Sequence, residues 1–488
     1  MHEFEPVIGL EVHAELQTSS KMFCGCKVVD SISAEPNTAV CEICTGMPGS
    51  LPVINKRAVE YALRVALALH CEISEISIFA RKNYFYPDLP KGFQISQYEL
   101  PLAHNGWLLI DTGKGEKRIR IRRVHIEEDT GKLSHRPGYS LVDYNRSGIP
   151  LLEIVSEPDL NSLEEVKSYA TSLRSILRYL KVNSGDMEKG VIRFEANVSV
   201  RPIGSDVFGI RTEIKNLNSF RAMEHALAYE VDRQSQLIAR GEQVIQETVG
   251  WDEASGITVS QRGKEEAHDY RYFPEPDLPP LHVDLVWVEE IRKSLPELPH
   301  TKMKRFITQY HLTPYIANVL IAERDVADYF ESAVSSAPDI SASKIANWLS
   351  SDFFGLLNEA GISIDQSKVS PENLAELVRL VEDGEINAGS GKMVLEHIFH
   401  SGEQAASIIE KRGLKQITDP AIIRQFVEEV LSSHPEQLQQ YLDGKQSLQQ
   451  WFFGQAMRAM DGQADPSLLQ PILNEALQDI ENGHRSPE

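Results

Sequence analysis

The chain has 488 residues, with 49 Lys and Arg against 71 Asp and Glu, a formal charge of -22. That balance argues against sequence-independent binding to nucleic acid, which needs a basic footprint to displace counterions, and leaves room for recognition of a folded RNA through local basic patches. Five cysteines are too few for a disulfide framework, no apolar run approaches the ~20 residues that span a bilayer, and at ~150 residues per domain about three domains are expected.

In chain order, the acidic start Met1-His2-Glu3-Phe4-Glu5-Pro6 runs into a strand-like segment and does not read as a signal peptide, so a cytoplasmic protein is expected. In Leu10-Glu11-Val12-His13-Ala14-Glu15-Leu16 polar and apolar residues alternate. A strand there would project Glu11, His13 and Glu15 from one face. Four cysteines follow, Cys24-Gly-Cys26 and Cys41-Glu-Ile-Cys44, while Cys71 stands apart and reads as a small buried residue. Paired cysteines suit a closed tetrahedral zinc site that staples a loop-rich segment. Unmetallated thiols are the competing reading, since C-x-C is the less usual spacing. His13-x-Glu15 with Cys41-x-x-Cys44 also looks like a zinc deaminase signature, but residue 40 is Val rather than Pro and two cysteines are left over.

Further alternating segments lie at 117–122, leading into His125-Ile126-Glu127-Glu128-Asp129, at 191–201 and at 209–215. The second places Arg193, Glu195, Asn197, Ser199 and Arg201 on one face, and the third Arg211, Glu213 and Lys215. Each alone fits the wet face of an antiparallel strand. Together in one sheet they would gather carboxylates, an imidazole and basic groups, a set suited to magnesium and phosphates. Lys82, Tyr84, Lys91 and Gln94 fall in a Pro-rich stretch that reads either as a plain surface loop or as a grip for phosphate and a terminal adenosine.

Prolines between 274 and 299 punctuate the chain, after which the pattern turns helical, with Leu374, Leu377, Val378 and Val381 as one apolar stripe. Thr418-Asp419-Pro420 reads as a helix start. Gly389-Ser390-Gly391-Lys392-Met393 is not a phosphate-binding loop, because Ile386 and Met393 stand where Gly and Ser or Thr are required. The expected division is 1–293, 294–408 and 409–488. The expected class is α+β, a mixed or antiparallel sheet followed by an all-helical domain and a small helical tail.

Several segments together resemble the B-subunit family of the glutamine-dependent aspartyl/glutamyl-tRNA amidotransferases. They are Ile8-Gly9-Leu10-Glu11-Val12-His13, Arg81-Lys82-Asn83-Tyr84-Phe85-Tyr86-Pro87-Asp88, His125 to Asp129, Leu141 to Val155, Glu213 to Phe220, and Asp269 to Asp277. The resemblance covers essentially the whole chain. It implies a glutamine-synthetase-like "cradle" with a magnesium site, in which Glu11, His13 and Glu128 match best and Glu195 and Glu213 are further ligands. Strand parity instead sets Glu127 beside His125; only the family match favours Glu128. Zinc is expected on Cys24, Cys26, Cys41 and Cys44, since this chain has all four.

The implied reaction is ATP-dependent phosphorylation and amidation of Glu-tRNA(Gln) or Asp-tRNA(Asn), with Lys215 or Arg211 neutralising phosphate charge and Lys82 and Tyr84 helping to bind substrate. No nucleophile paired with a base is visible for making ammonia. The resemblance supplies an amidase A subunit and a small C subunit for that purpose, and a tail that contacts tRNA. A non-catalytic tRNA adaptor and a free-standing carboxylate-amine ligase are the alternatives.

Overall fold

The computed structural model describes residues 4–30, 32–262 and 270–484. Met1 to Glu3 and Asp269 of the motifs above lie outside the described residues. The chain divides into two compact units, Met1–Thr301 and Lys302–Glu488.

The first unit opens with β1 (Phe4–Glu15), α1 (Lys56–Ala68), β2 (Glu72–Ile73), β3 (Ile76–Ser77), β4 (Phe79–Asn83) and β5 (Phe93–Gln97). Next come β6 (Ala103–Asp111), β7 (Glu116–Glu128), the hairpin β8 (Lys132–Arg136) and β9 (Tyr139–Asp143), β10 (Pro150–Ser156) and α2 (Leu163–Tyr179). The unit continues with β11 (Ile192–Pro202), β12 (Thr212–Leu217), α3 (Phe220–Ala239), β13 (Thr248–Asp252), β14 (Ile257–Arg262), β15 (Phe273–Pro274), β16 (Leu281–His282) and α4 (Leu285–Ser294).

Nine strands form one mixed sheet in the order β14-β13-β12-β11-β1-β10-β7-β6-β2, with β12 and β13 parallel. β15, β4 and β5 make a second, three-stranded sheet. The central strand β1 follows the period of two: Ile8, Leu10, Val12 and Ala14 are wholly buried while Glu11, His13 and Glu15 are half-buried on the other face. Apolar residues of α1, α2 and α3 join the same core as the strands' buried faces. Each of these helices begins where a side chain caps its free amides, Asn55, Ser162 and Ser219 respectively. Helices therefore occupy the apolar side of the sheet, and the polar side is left for chemistry.

The second unit is helical. One apolar cluster surrounds Phe306, Phe330 and Phe353, and another surrounds Phe452, Leu469 and Leu473. The expected stripe lies on the helix Pro371–Glu382, with Leu374, Leu377 and Val378 buried and Val381 partly so. Asp419 caps the helix Pro420–Ser433 by accepting the amide of Ala421. Gly389 to Lys392 lie within the helix Ala388–Ser401, so they form no phosphate-cradling loop. Among the described residues no helix is long and apolar enough to cross a membrane.

Candidate active site and cysteine cluster

Register decides which polar groups meet. β1 lies between β10 and β11, pairing His13 with Glu153 on one side and Arg193 on the other, and Glu11 with Glu195. β10 in turn pairs Glu153 with His125 on β7. Adjacent strands are ~4.8 Å apart, so these pairings bring the side chains into one pocket of about 480 Å³. Lys82, Tyr84, Tyr270 and Tyr272 also line it.

At its centre His13 Nε2 stands 3.4 Å from Glu153 and 3.8 Å from Glu127. Burial pulls the His13 imidazole down, but the hydrogen bond to Glu153 and the charges of Glu153, Glu195 and Glu127 outweigh it and raise it to about 9. Glu153 moves the opposite way: burial pushes it up, yet His125 and His13 hold it well below the usual carboxylate range. One ligand atom from each of His13, Glu127 and Glu153 lies within 4.8 Å of the others. Metal–ligand bonds of ~2.1 Å place neighbouring donors ~3–4 Å apart, so this trio fits a small divalent cation.

Beside it, Lys215 Nζ sits 3.0 Å from Glu195 and 3.3 Å from Glu213. Burial pulls Lys215 down, but these two carboxylates win and hold its ammonium above the usual range. Glu11 accepts a hydrogen bond from Asn197, and burial followed by Glu153, Glu195 and Glu213 raises its carboxyl. Over the pocket, Lys82 Nζ lies 5.1 Å from the Tyr270 ring and 6.0 Å from that of Tyr84. Burial lowers Lys82, and Glu127, with Tyr272, Tyr84 and Glu153 behind it, raises it on balance.

The structure departs from the sequence reading at several positions. Glu128 does not join the cation group: on β7 its neighbour Glu127 takes the pocket face, so Glu128 points the other way. Its carboxylate accepts from Lys91 Nζ and from the Ile95 amide. Arg211 precedes β12 instead of lying on it, because the strand begins at Thr212 and Ile210 is exposed. The approach to that strand passes so close to β11 that a Cβ on Gly209 would meet the Val200 carbonyl at 2.3 Å. Arg211 consequently lines a neighbouring cavity of about 470 Å³, with Val7, Phe208 and Ile210, which meets the carboxylate pocket at Glu11. Lys82 and Gln94 stand on β4 and β5 rather than in a loop, Tyr84 directly follows β4, and Lys91 is withdrawn into its pair with Glu128.

Glu153 is the residue sequence reasoning missed. Its signal was visible: it is the single carboxylate in Pro150-Leu151-Leu152-Glu153-Ile154-Val155, a strand buried along its whole length.

The four clustered cysteines also converge, with their sulfurs within 4.8 Å of one another and Cys41 and Cys44 3.9 Å apart. Four thiolates at ~2.3 Å from a tetrahedral zinc are ~3.8 Å apart, so the set fits zinc and not a disulfide. Lys21, fully buried, donates to Cys44 at 3.6 Å and to the Tyr144 carbonyl at 3.1 Å, setting a positive charge beside the thiolates. Cys71 is buried beneath Gly106, away from this cluster.

Known families match the chain along most of its length. Residues 6–289 match the family described as the GatB/GatE catalytic domain, and residues 328–477 match the GatB domain. The chain is 52% identical over 475 residues to the aspartyl/glutamyl-tRNA(Asn/Gln) amidotransferase B subunit of Persephonella marina, covering 97% of this chain and 100% of that one. Proteins of the same name from Thermodesulfovibrio yellowstonii (49%) and Moorella thermoacetica (50%) align over 98% and 97% of this chain and 100% of their own length.

Proposed function

The chain belongs to the family of aspartyl/glutamyl-tRNA amidotransferase B subunits, and from that premise we propose that its carboxylate-lined pocket activates and amidates a misacylated tRNA. The substrate is the side-chain carboxylate of Glu-tRNA(Gln) or Asp-tRNA(Asn). The observation that carries this reading is a single cavity holding an imidazole–carboxylate group, two ammonium groups and an aromatic wall.

A carboxylate resists ammonia because its leaving group would be oxide. Attack of its oxygen on the γ-phosphorus of ATP forms an acyl phosphate and releases ADP. Ammonia then attacks the acyl carbon, phosphate departs with the former carboxylate oxygen, and the nitrogen loses a proton. Positioning and charge neutralisation supply most of the catalysis in such transfers. The neighbouring apolar cavity, with Phe208 and Ile210 on its wall and Arg211 at hand, suits the nucleoside, and the phosphates would pass Glu11 into the pocket. Lys215 and Lys82 face the transferred phosphoryl group from the sheet and from the opposite wall. A divalent cation, magnesium in this reading, would be held by His13, Glu127 and Glu153 with Glu11, Glu195 and Glu213 alongside, and would supply further neutralisation of phosphate charge. The four cysteines hold a structural zinc.

Ammonia in this reading comes from a partner, an amidase A subunit joined through a small C subunit, as the family resemblance implies. The helical tail from about 409 onward contacts tRNA. The test uses this chain co-expressed with those two subunits and given ATP, magnesium, ammonium chloride and radiolabelled Glu-tRNA(Gln). Labelled Gln after deacylation, lost in Glu153→Gln, is the expected result. No Gln from the unmodified complex, with Asp-tRNA(Asn) equally inert, would overturn the reading in favour of a tRNA adaptor.

A further inference from the structure

The cation trio leaves one buried imidazole unexplained. His125 on β7 is 2% exposed and lines the pocket. Its register partner on β10 is Glu153, whose partner on β1 is His13, so two imidazoles flank one carboxylate across three adjacent strands. His125 Nε2 lies 3.3 Å from Glu153 Oε2 and 3.9 Å from Glu127 Oε2, and His13 Nε2 approaches the same Glu153 oxygen at 3.4 Å. The other ring nitrogen, Nδ1, is buried with no hydrogen-bond partner.

The two neutral tautomers of this ring are not equivalent. A proton on Nδ1 would strand a buried N–H without an acceptor and would turn a bare Nε2 lone pair toward a carboxylate oxygen. A proton on Nε2 donates to Glu153 and leaves only an unmatched lone pair behind. The Nε2–H form wins, and in that form the ring presents no lone pair to a cation beside Glu153.

We propose that His125 is a positioning residue: it donates from Nε2 to Glu153 and fixes that carboxylate for divalent-cation binding by His13, Glu127 and Glu153. This rests on the cation site proposed above. Groups that hydrogen-bond a ligating residue characteristically contribute 10–100-fold to metal affinity, because they remove the ligand's rotational freedom and aim its free lone pair. Arg123, 3.8 Å from the other Glu153 oxygen, is too distant to do the same.

The test measures Mn²⁺ binding to the full chain in the co-expressed complex, by titration calorimetry and by electron paramagnetic resonance of the free ion. His13→Ala identifies the signal that belongs to this site. His125→Gln carries an amide N–H where Nε2 stood, whereas His125→Asn carries it where the unpartnered Nδ1 stood. The expected result is binding within about threefold of the unmodified protein for Gln and about 10–100-fold weaker for Asn. Equal affinity in the Asn variant and the unmodified protein overturns the proposal, as does an equal loss in both variants. A protein that binds no Mn²⁺ at a His13-dependent site sinks the cation reading itself, and the proposal with it.

Discussion

The segment that carries Tyr270 and Tyr272 is tied to β4 by hydrogen bonds from Asn83 to the Tyr270 and Arg271 carbonyls and, just beyond, by a buried ion pair, and breaking that pair from one side has a definite consequence. Arg81 on β4 binds Glu275 through two parallel hydrogen bonds of 2.7 Å, and stacks 4.2 Å over the Phe93 ring. The Glu275 side chain is 1% exposed and that of Arg81 21%. Replacing Arg81 with Met leaves a desolvated carboxylate without its cation. Removing one partner of a buried pair costs about 3–5 kcal/mol; because Arg81 is partly exposed and water can reach the vacated place, the lower end, about 3 kcal/mol, is expected. Glu275→Gln should cost less, since Arg81 retains Asp277 at 3.3 Å. The double variant should cost clearly less than the sum, because neither charge is then left unpaired. The assay is urea unfolding of the full chain, with amide exchange over 79–83 and 273–277 to locate the loss at the pairing of β15 with β4. Arg81→Met within about 0.5 kcal/mol of the unmodified protein, or strict additivity in the cycle, would refute the reasoning.

Glu15 gives a pH prediction. Burial, and then the neighbouring Asp129, raise its carboxyl to about 8 from the ordinary 4.5. Its protonated form is the one the fold prefers, so the stability it contributes is full below about 4.5 and is lost as pH rises through about 8. Glu15→Gln should therefore melt higher than the unmodified protein at pH 8.5 in the presence of chelator; a lower melting temperature at pH 8.5 would reverse the assignment. For the cysteine cluster, about one zinc per chain is expected by elemental analysis. Cys44→Ser should release it and lower the melting temperature, and Lys21→Met should weaken retention against a chelator by leaving the thiolate charge uncompensated. Full zinc content in Cys44→Ser would contradict the four-ligand site. Lys215→Met should lower the rate of tRNA-dependent ATP hydrolysis by about 10²–10³ if Lys215 neutralises the transferred phosphoryl, and an unchanged rate would remove it from that role.

Local pattern was enough to read the α+β order of elements and the faces of the central strands, while the family followed from the resemblance of whole motifs. Alternation is a local property, and from Leu10 to Glu15 in β1 and from Ile192 to Arg201 in β11 the sequence keeps it, so Glu11 and His13 could be placed on one face of their strand, and Arg193 and Glu195 on one face of theirs, without knowing a neighbour. The capped helix start at Asp419 was legible for the same reason. Which faces adjoin was settled by the fold alone. Glu153 acquires its place because β10 lies between β1 and β7, a pairing that joins residues about 140 positions apart and leaves no trace in local pattern. Glu128 was preferred on the family match alone; strand parity set Glu127 beside His125, and it is Glu127 that stands on the pocket face, since adjacent residues of a strand cannot face the same side. Arg211 marks the limit of local pattern: the alternation at 209–215 starts ahead of the strand, which begins at Thr212, because a loop can carry the pattern of a strand in sequence before the backbone enters the sheet.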